Sequence, residues 1–327
     1  MQKITLTFII YLIVSCKYLP ESIGQSNEII ILTSPQDKML IEPLLANVFS
    51  KIIHTPHDEQ EYILNFQNSW EIERYEDYGN IIVASLKFPE DSTADILTHR
   101  ILKKYNQDVQ LFTLSDLYAK NQLLFIIHAL DAVAFENILK NNREWILKEY
   151  NAHFEKRMIQ ELFKHGKNNE LSDTIFNILG YTIDLQPDFQ LIRSDPSHSF
   201  VWVGRGYPYR WITLHKSRKD NYMNIQSAWR QLVNDFASNI PEIEISKYYQ
   251  KNEKVIYKEN KIPVMRGIYE HSISESGGPF FVYIFETEQT NEVILISGFV
   301  NYPGHEKILL LKQLEIMAKT LHKGDPT

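Results

Sequence analysis

Residues 280–301 read Phe-Phe-Val-Tyr-Ile-Phe-Glu-Thr-Glu-Gln-Thr-Asn-Glu-Val-Ile-Leu-Ile-Ser-Gly-Phe-Val-Asn. Two β-branched and aromatic runs, Phe280–Thr287 and Val293–Asn301, flank a turn signal at Thr290-Asn291, the pattern of adjacent antiparallel strands. Upstream, Met265–Ser274 reads as a third strand, set off by the glycines and proline of Ser276-Gly277-Gly278-Pro279. Downstream, Ile308, Leu311, Leu314, Ala318 and Leu321 recur at helical spacing, so Glu306–Leu321 is expected to be a closing helix with these residues toward the core.

Working back from this meander, Asn224–Phe236 reads as a helix. Tyr181–Asp184, Phe189–Arg193, Ser199–Val203 and Tyr209–His215 read as strands in close succession. Leu171–Leu179 is a short helix stopped by Gly180. Grouped strands with helices between them predict an antiparallel α+β domain over residues 166–327. Residues 28–165 have a different texture. Strands at Glu28–Thr33, Asn80–Leu86, Val109–Leu114 and Gln122–His128 alternate with helices after Ser34-Pro35, over Asp91–Tyr105, and from Asp131 through Met158, where Asn141-Asn142 is a possible break. Alternation of this kind predicts an α/β domain. The chain of 327 residues, 44% hydrophobic, is long enough for these two domains.

The N-terminus carries the localisation signal. Lys3 precedes an apolar run from Ile4 to Val14, which suits a signal-peptide core and is too short to span a membrane. Ile13-Val14-Ser15-Cys16 then resembles the bacterial lipobox, so residues 1–15 are expected to be removed and Cys16 acylated. Two or more acyl chains make such an anchor durable. Residues 16–27, with Pro20 and Gly24, read as a tether. Cys16 is the only cysteine; once acylated, it leaves no thiol for a disulfide, a nucleophile or a metal site. Formal net charge is −7, or −8 without Lys3, and an acidic body does not attract nucleic acid or anionic headgroups.

Several stretches in order carry a family resemblance: Leu19–Gly24, Glu136–Arg143, Ser199–Val203, Gly277–Phe281 and Gly298–Pro303. Together they resemble the Bacteroidota lipoprotein family catalogued as domain of unknown function 4837, over nearly the whole mature chain. The resemblance implies an exported, acylated envelope protein and transfers no catalytic residue. The acidic residues that in such bacteria direct surface export are absent from Lys17-Tyr18-Leu19-Pro20, so the resemblance implies a periplasm-facing outer-membrane location. Separately, the element order from Gly180 onward resembles that of PsbP-like domains in topology.

The chemistry-bearing residues form no recognised constellation. His54-Thr55-Pro56-His57-Asp58-Glu59 is metal-like in composition, but its proline breaks helical spacing and no third distant ligand is implied; a solvated loop is the expected reading. His128, His215 and His271 would serve as general bases only beside a carboxylate in a cleft. Ser274-x-Ser276-Gly277 lacks the nucleophile-elbow pattern, and Gly204-Arg205-Gly206 lacks the third glycine of a dinucleotide loop and reads as a hairpin turn. The carboxylates Glu71/Glu73/Glu76/Asp77 and Glu286/Glu288 read as solvated faces. One binding patch stands out: Arg205, Tyr207, Tyr209 and Trp211 around a turn, against the simpler reading that aromatics here are core. The expectation is therefore a non-catalytic envelope lipoprotein, a binding or assembly module without cofactor or metal, contacting the membrane through Cys16 and an envelope protein or ligand through this patch. The alternative is a periplasmic hydrolase whose site is not recognisable from sequence.

Overall fold

A computed structural model describes residues 19–87, 92–107, 109–272, 276–289 and 291–323. The signal peptide, Cys16, Ser274 and Thr290 lie outside these residues. By contact the chain divides into two units: residues up to Glu42 with Leu64–Ile138, and Pro43–Ile63 with Leu139–Thr327. The division expected after residue 165 therefore differs from the contact boundary, which falls inside the long helix, and residues 43–63 return to the later unit.

The first unit is an α/β fold. Strands β1 (Glu28–Thr33), β2 (Ile63–Asn68), β3 (Asn80–Leu86), β4 (Leu111–Ser115) and β5 (Leu123–Ala129) form one sheet in the order β2-β1-β3-β5-β4. β1 and β3 are parallel, as are β3 and β5, while β4 returns antiparallel to β5. β3 is buried at every position and β1 at all but its first, which is why they read as unbroken apolar runs rather than alternating ones. The helix α1 (Pro35–Val48) starts as the sequence predicted: Asp37 N donates to Ser34 Oγ at 3.1 Å, and Pro35 occupies the first turn. α2 (Ser92–Lys104) packs Leu97, Ile101 and Leu102 with Ile81, Val83 and Ile126. The helix α3 (Ala132–Leu162) runs unbroken through Asn141-Asn142, so the expected interruption is absent. Burial of Leu139, Ile146, Tyr150, Phe154 and Met158 outweighs the modest helix propensity of two asparagines.

The second unit is an antiparallel sheet between helices. After α4 (Asn169–Leu179) come β6 (Gln190–Asp195), β7 (Phe200–Arg205), β8 (Tyr209–Arg218), α5 (Ile225–Asn239), β9 (Ile243–Tyr257), β10 (Asn260–His271), β11 (Ser276–Glu286), β12 (Glu292–Asn301) and α6 (Ile308–Ala318). The sheet order is β9-β10-β11-β12-β8-β7-β6. Phe281, Tyr283 and Phe285 point to one face and join the core beneath α4 and α6; Phe280, Val282 and Ile284 point to the other and join the core beneath α5. α4 is capped by Asn168, whose Oδ1 accepts from Leu171 N at 3.0 Å, and ends at Gly180 with φ +70°. Two expectations are corrected. The strand read at Tyr181–Asp184 is only a two-residue ladder, Tyr181–Thr182, against His322–Lys323. Ser276-Gly277-Gly278-Pro279 is not a turn but the start of β11, opposite Ile268–His271. A Cβ on Gly277 would lie 2.3 Å from Tyr269 O and one on Gly278 1.9 Å from Val300 O, so these glycines permit close strand approach.

A charge cluster lies between this sheet and α6. Arg266 on β10 pairs with Glu253 on β9 and Glu315 on α6, while Lys312 reaches Glu61 at 2.9 Å and Lys51 meets the same Glu61 oxygen at 2.9 Å. Burial by itself would raise the Glu315 carboxyl, but Arg266 and Lys312 hold it down at about 2. A carboxylate depressed from its ordinary 4.5 contributes stability above pH 4.5 that is lost as pH falls through about 2. Glu315→Ala should lower unfolding free energy by about 3–5 kcal/mol in urea titrations, because it strands a buried guanidinium, and should flatten the stability loss in that pH window. An unchanged midpoint and acid profile would show that the cluster contributes nothing.

Candidate functional site

The hairpin of β7 and β8 turns through Gly206-Tyr207-Pro208, with a cis bond between Tyr207 and Pro208. Its register pairs Arg205 with Arg210, Gly204 with Trp211 and Trp202 with Thr213. Because side chains alternate across a strand, Trp202, Tyr209 and Trp211 share the α5 face, whereas Arg205 and Arg210 share the opposite one. Gly204 is required here: a Cβ would lie 2.4 Å from Trp211 Cδ1, so the indole occupies the space a side chain would take.

Toward α5 this face is core: Phe280, Phe299 and Tyr269 are fully buried, and Trp202 and Trp211 are partly buried against them. Toward the hairpin it opens. Tyr209 is 43% exposed and Tyr207 58%. The rings form a continuous row. The row runs round the end of the sheet: Tyr302, which packs against the core beneath α4 and α6, stacks on His305 at 4.2 Å and meets Tyr207 at 5.3 Å; Tyr207 meets Tyr209 at 5.8 Å; Tyr209 stacks on Trp211 at 5.9 Å; Trp211 meets Trp202 edge-on at 6.3 Å. Arg193 closes the inner end, its guanidinium 5.4 Å above the Trp202 ring. Beside Tyr209 in the sheet, Asn301 donates to Ser276 Oγ at 3.0 Å, and its own Oδ1 is buried without a hydrogen bond among the described residues.

Of the four residues singled out from sequence, Tyr207, Tyr209 and Trp211 come together. Arg205 does not join them; it pairs with Asp188 at 2.5 Å on the other face. Beside it, burial draws the Arg210 guanidinium down to about 10, with Arg205 acting in the same direction and Asp188 against it. Tyr302 and His305 were missed. Tyr302 follows Asn301, which pairs with Tyr209, but only the sheet register reveals that.

The other candidates are dispersed or consumed. His54 meets Asp58 at 2.6 Å, but Glu59 turns away: its Oε2 accepts from Lys307 N and Ile308 N, each at 2.8 Å, and caps α6. His215 Nε2 lies 3.2 Å from Asp235 Oδ2, which also accepts from Tyr222 OH at 2.5 Å. Burial would raise the Asp235 carboxyl, but its hydrogen bonds to His215 and Tyr222 lower it. His215 is buried and Asp235 half-buried, and the pair ties α5 to β8. His271 lies in the ladder opposite Ile243 and Ser276. His128 Nδ1 is 3.0 Å from Ser85 Oγ and 3.5 Å from Asp95 Oδ1. Both of these neighbours meet the same ring nitrogen. The described concavities, of 410 and 650 Å³ in the second unit and 530 Å³ in the first, are lined by none of these three histidines. Glu71 pairs with Arg74 and Glu286 with Lys219, both on the surface.

Exposure of the tyrosines sets their energetic role. Tyr207→Ala and Tyr209→Ala should each change stability by about 0.5 kcal/mol or less in chemical denaturation. Gly204→Ala, which drives a methyl into Trp211, should cost about 1–3 kcal/mol. Losses of several kcal/mol at the tyrosines would make them core residues and end the binding-patch reading.

No sequence among the curated proteins matches the chain. The Saccharomyces cerevisiae Ran-binding protein Mog1p, solved at 1.9 Å, is 12% identical over 44% of this chain and 90% of that one, with a TM-score of 0.32. A Bacteroides thetaiotaomicron structure at 1.50 Å is 9% identical over 44% of this chain and 45% of that one, with a TM-score of 0.28. Residues 168–320, inside the second unit, match the family model described as Domain of unknown function (DUF4837). That segment holds the whole aromatic row and three of the five stretches on which the resemblance was read, but not Leu19–Gly24 or Glu136–Arg143.

Proposed function

We propose that this is an exported, lipid-anchored envelope protein whose second unit is a non-catalytic binding module. It is held at a periplasm-facing outer membrane by acylated Cys16 and contacts its ligand along the row from His305 to Trp202. The observation that carries the binding role is the exposure of Tyr209, at the open end of a sheet face that is otherwise core, and of Tyr207 in the adjoining turn. Aromatic rings with polar tips supply contact area at low entropic cost, and such residues dominate binding hot spots. Arg205 and Arg210 face away, so ring contact and hydrogen bonding, rather than a charge pair from the hairpin, select the ligand. An uncharged glycan of the envelope fits that chemistry, stacking its apolar ring faces on the tyrosines and hydrogen-bonding to their phenol groups. The localisation and the acyl attachment rest on the lipobox-like Ile13–Cys16. No helix among the described residues is long and apolar enough to cross a membrane.

Mass spectrometry of the membrane fraction should find the mature chain beginning at an acylated Cys16, and Cys16→Ser should move the protein to the soluble fraction. A different N-terminus, or a membrane-bound Cys16→Ser, would overturn the anchor. For the ledge, solubilised envelope glycan strands should change the fluorescence of Trp211 and Trp202. The Tyr207→Ala/Tyr209→Ala double variant should lose that response while keeping its unfolding midpoint. A response that persists in the double variant refutes the ledge as the site.

A further inference from the structure

We infer that the first unit carries a divalent transition-metal site, of the zinc type, built from Asp95, His99 and His128. Asp95 and His99 are one turn apart on α2 and so share a face of the helix. His128 sits near the carboxyl end of β5, opposite Ser85 on the parallel strand β3. The carboxyl ends of parallel strands are where open α/β sheets bind ligands. One ligand atom from each of the three residues lies within 4.8 Å of the others.

The separations fit a metal. Asp95 Oδ1 is 3.3 Å from His99 Nδ1 and 3.5 Å from His128 Nδ1. Nitrogen and oxygen ligands on a tetrahedral zinc at about 2.0–2.1 Å stand roughly 3.3–3.4 Å apart, so these two edges are close to preformed. Asp95 Oδ1 is also a buried acceptor with no hydrogen-bond donor among the described residues, and a cation between the three groups would satisfy it. His99 Nδ1 lies 2.9 Å from Asp95 O, and Ser85 Oγ lies 3.0 Å from both His128 Nδ1 and Thr98 Oγ1. Loading therefore moves the His99 proton to Nε2, leaving the Nδ1 lone pair for the metal, and turns the Ser85 hydroxyl to Thr98. Two imidazoles favour zinc, nickel, cobalt or copper over magnesium and calcium, which take oxygen ligands. Two histidines and one carboxylate leave the fourth position to water, the ligand count of catalytic rather than structural zinc sites.

The full chain, stripped with chelator, is titrated with zinc by equilibrium dialysis and with cobalt by visible absorption. One equivalent of zinc should bind, and cobalt should give the absorption of a four-coordinate site. His99 is on the surface, so His99→Ala should keep the thermal midpoint of the metal-free protein while weakening zinc binding by more than about tenfold, the lower bound for disturbing even an outer-shell partner. Asp95→Asn should do the same. The inference is overturned if the chain takes up no stoichiometric zinc, or if His99→Ala binds as tightly as the parent. Loss of binding in His54→Ala but not in His99→Ala would place the metal in the 54–59 loop and overturn it equally.

Discussion

The second unit depends on how the 43–63 segment is fastened to α6. Glu59 lies in a two-residue strand and Glu61 at the bend directly after it, and both carboxylates reach α6. Glu59 accepts the amides of Lys307 and Ile308 at the start of the helix, where the free N–H groups and the positive end of the dipole favour a carboxylate. Glu61 engages Lys312 on the same helix. Lys312 also lies 3.8 Å from Glu315, which in turn holds Arg266 on β10. Segment, helix and strand are thus joined by a chain of alternating charges, each with an opposite neighbour. Any one carboxylate removed leaves a cation in a place where water solvates it poorly, so the cluster is costly to break even though assembling it gains little.

The runs 280–287 and 293–301 were legible because both faces of the central strands are covered, leaving few polar positions to interrupt the apolar pattern. β9, Ile243–Tyr257, was not read as a strand at all. It is an edge strand in which only Ile243 and Ser246 are buried, and Lys247, Lys251 and Lys254 along it give the composition of a loop. Gly277 and Gly278 were misread for the opposite reason. Their composition signals a turn, yet their role is close backbone approach to Tyr269 and Val300, which only the neighbouring strands reveal.

The sites divide in the same way. Tyr207, Tyr209 and Trp211 are within five residues of one another, and local order alone brings them together. Arg205 is just as near in sequence, but strand parity sends it to the other face, a consequence of where the hairpin begins rather than of distance. Tyr302 and His305 required the register of β8 against β12. Asp95, His99 and His128 required the placement of α2 beside the end of β5. The local half, Asp95 and His99 at helical spacing, is too common a pattern to stand out until the third residue is located.

The length of the elements gives a reason for the aromatic row to be open. β8 has 10 residues and, at about 3.3 Å each, spans roughly 33 Å. α5 has 15 residues and, at 1.5 Å each, spans about 22 Å. Even laid parallel to the strand, the helix leaves roughly 10 Å of that face without cover. The residues at the uncovered end are Tyr209 and, past the turn, Tyr207, where a soluble surface would ordinarily place charged or small polar side chains. Their ring edges and faces support one another through Tyr302 and Trp211, so the row holds its shape without a covering helix. A row of rings fixed in place before binding loses little side-chain entropy on contact, which makes this end of the sheet better suited to gripping a ligand than to stabilising the fold.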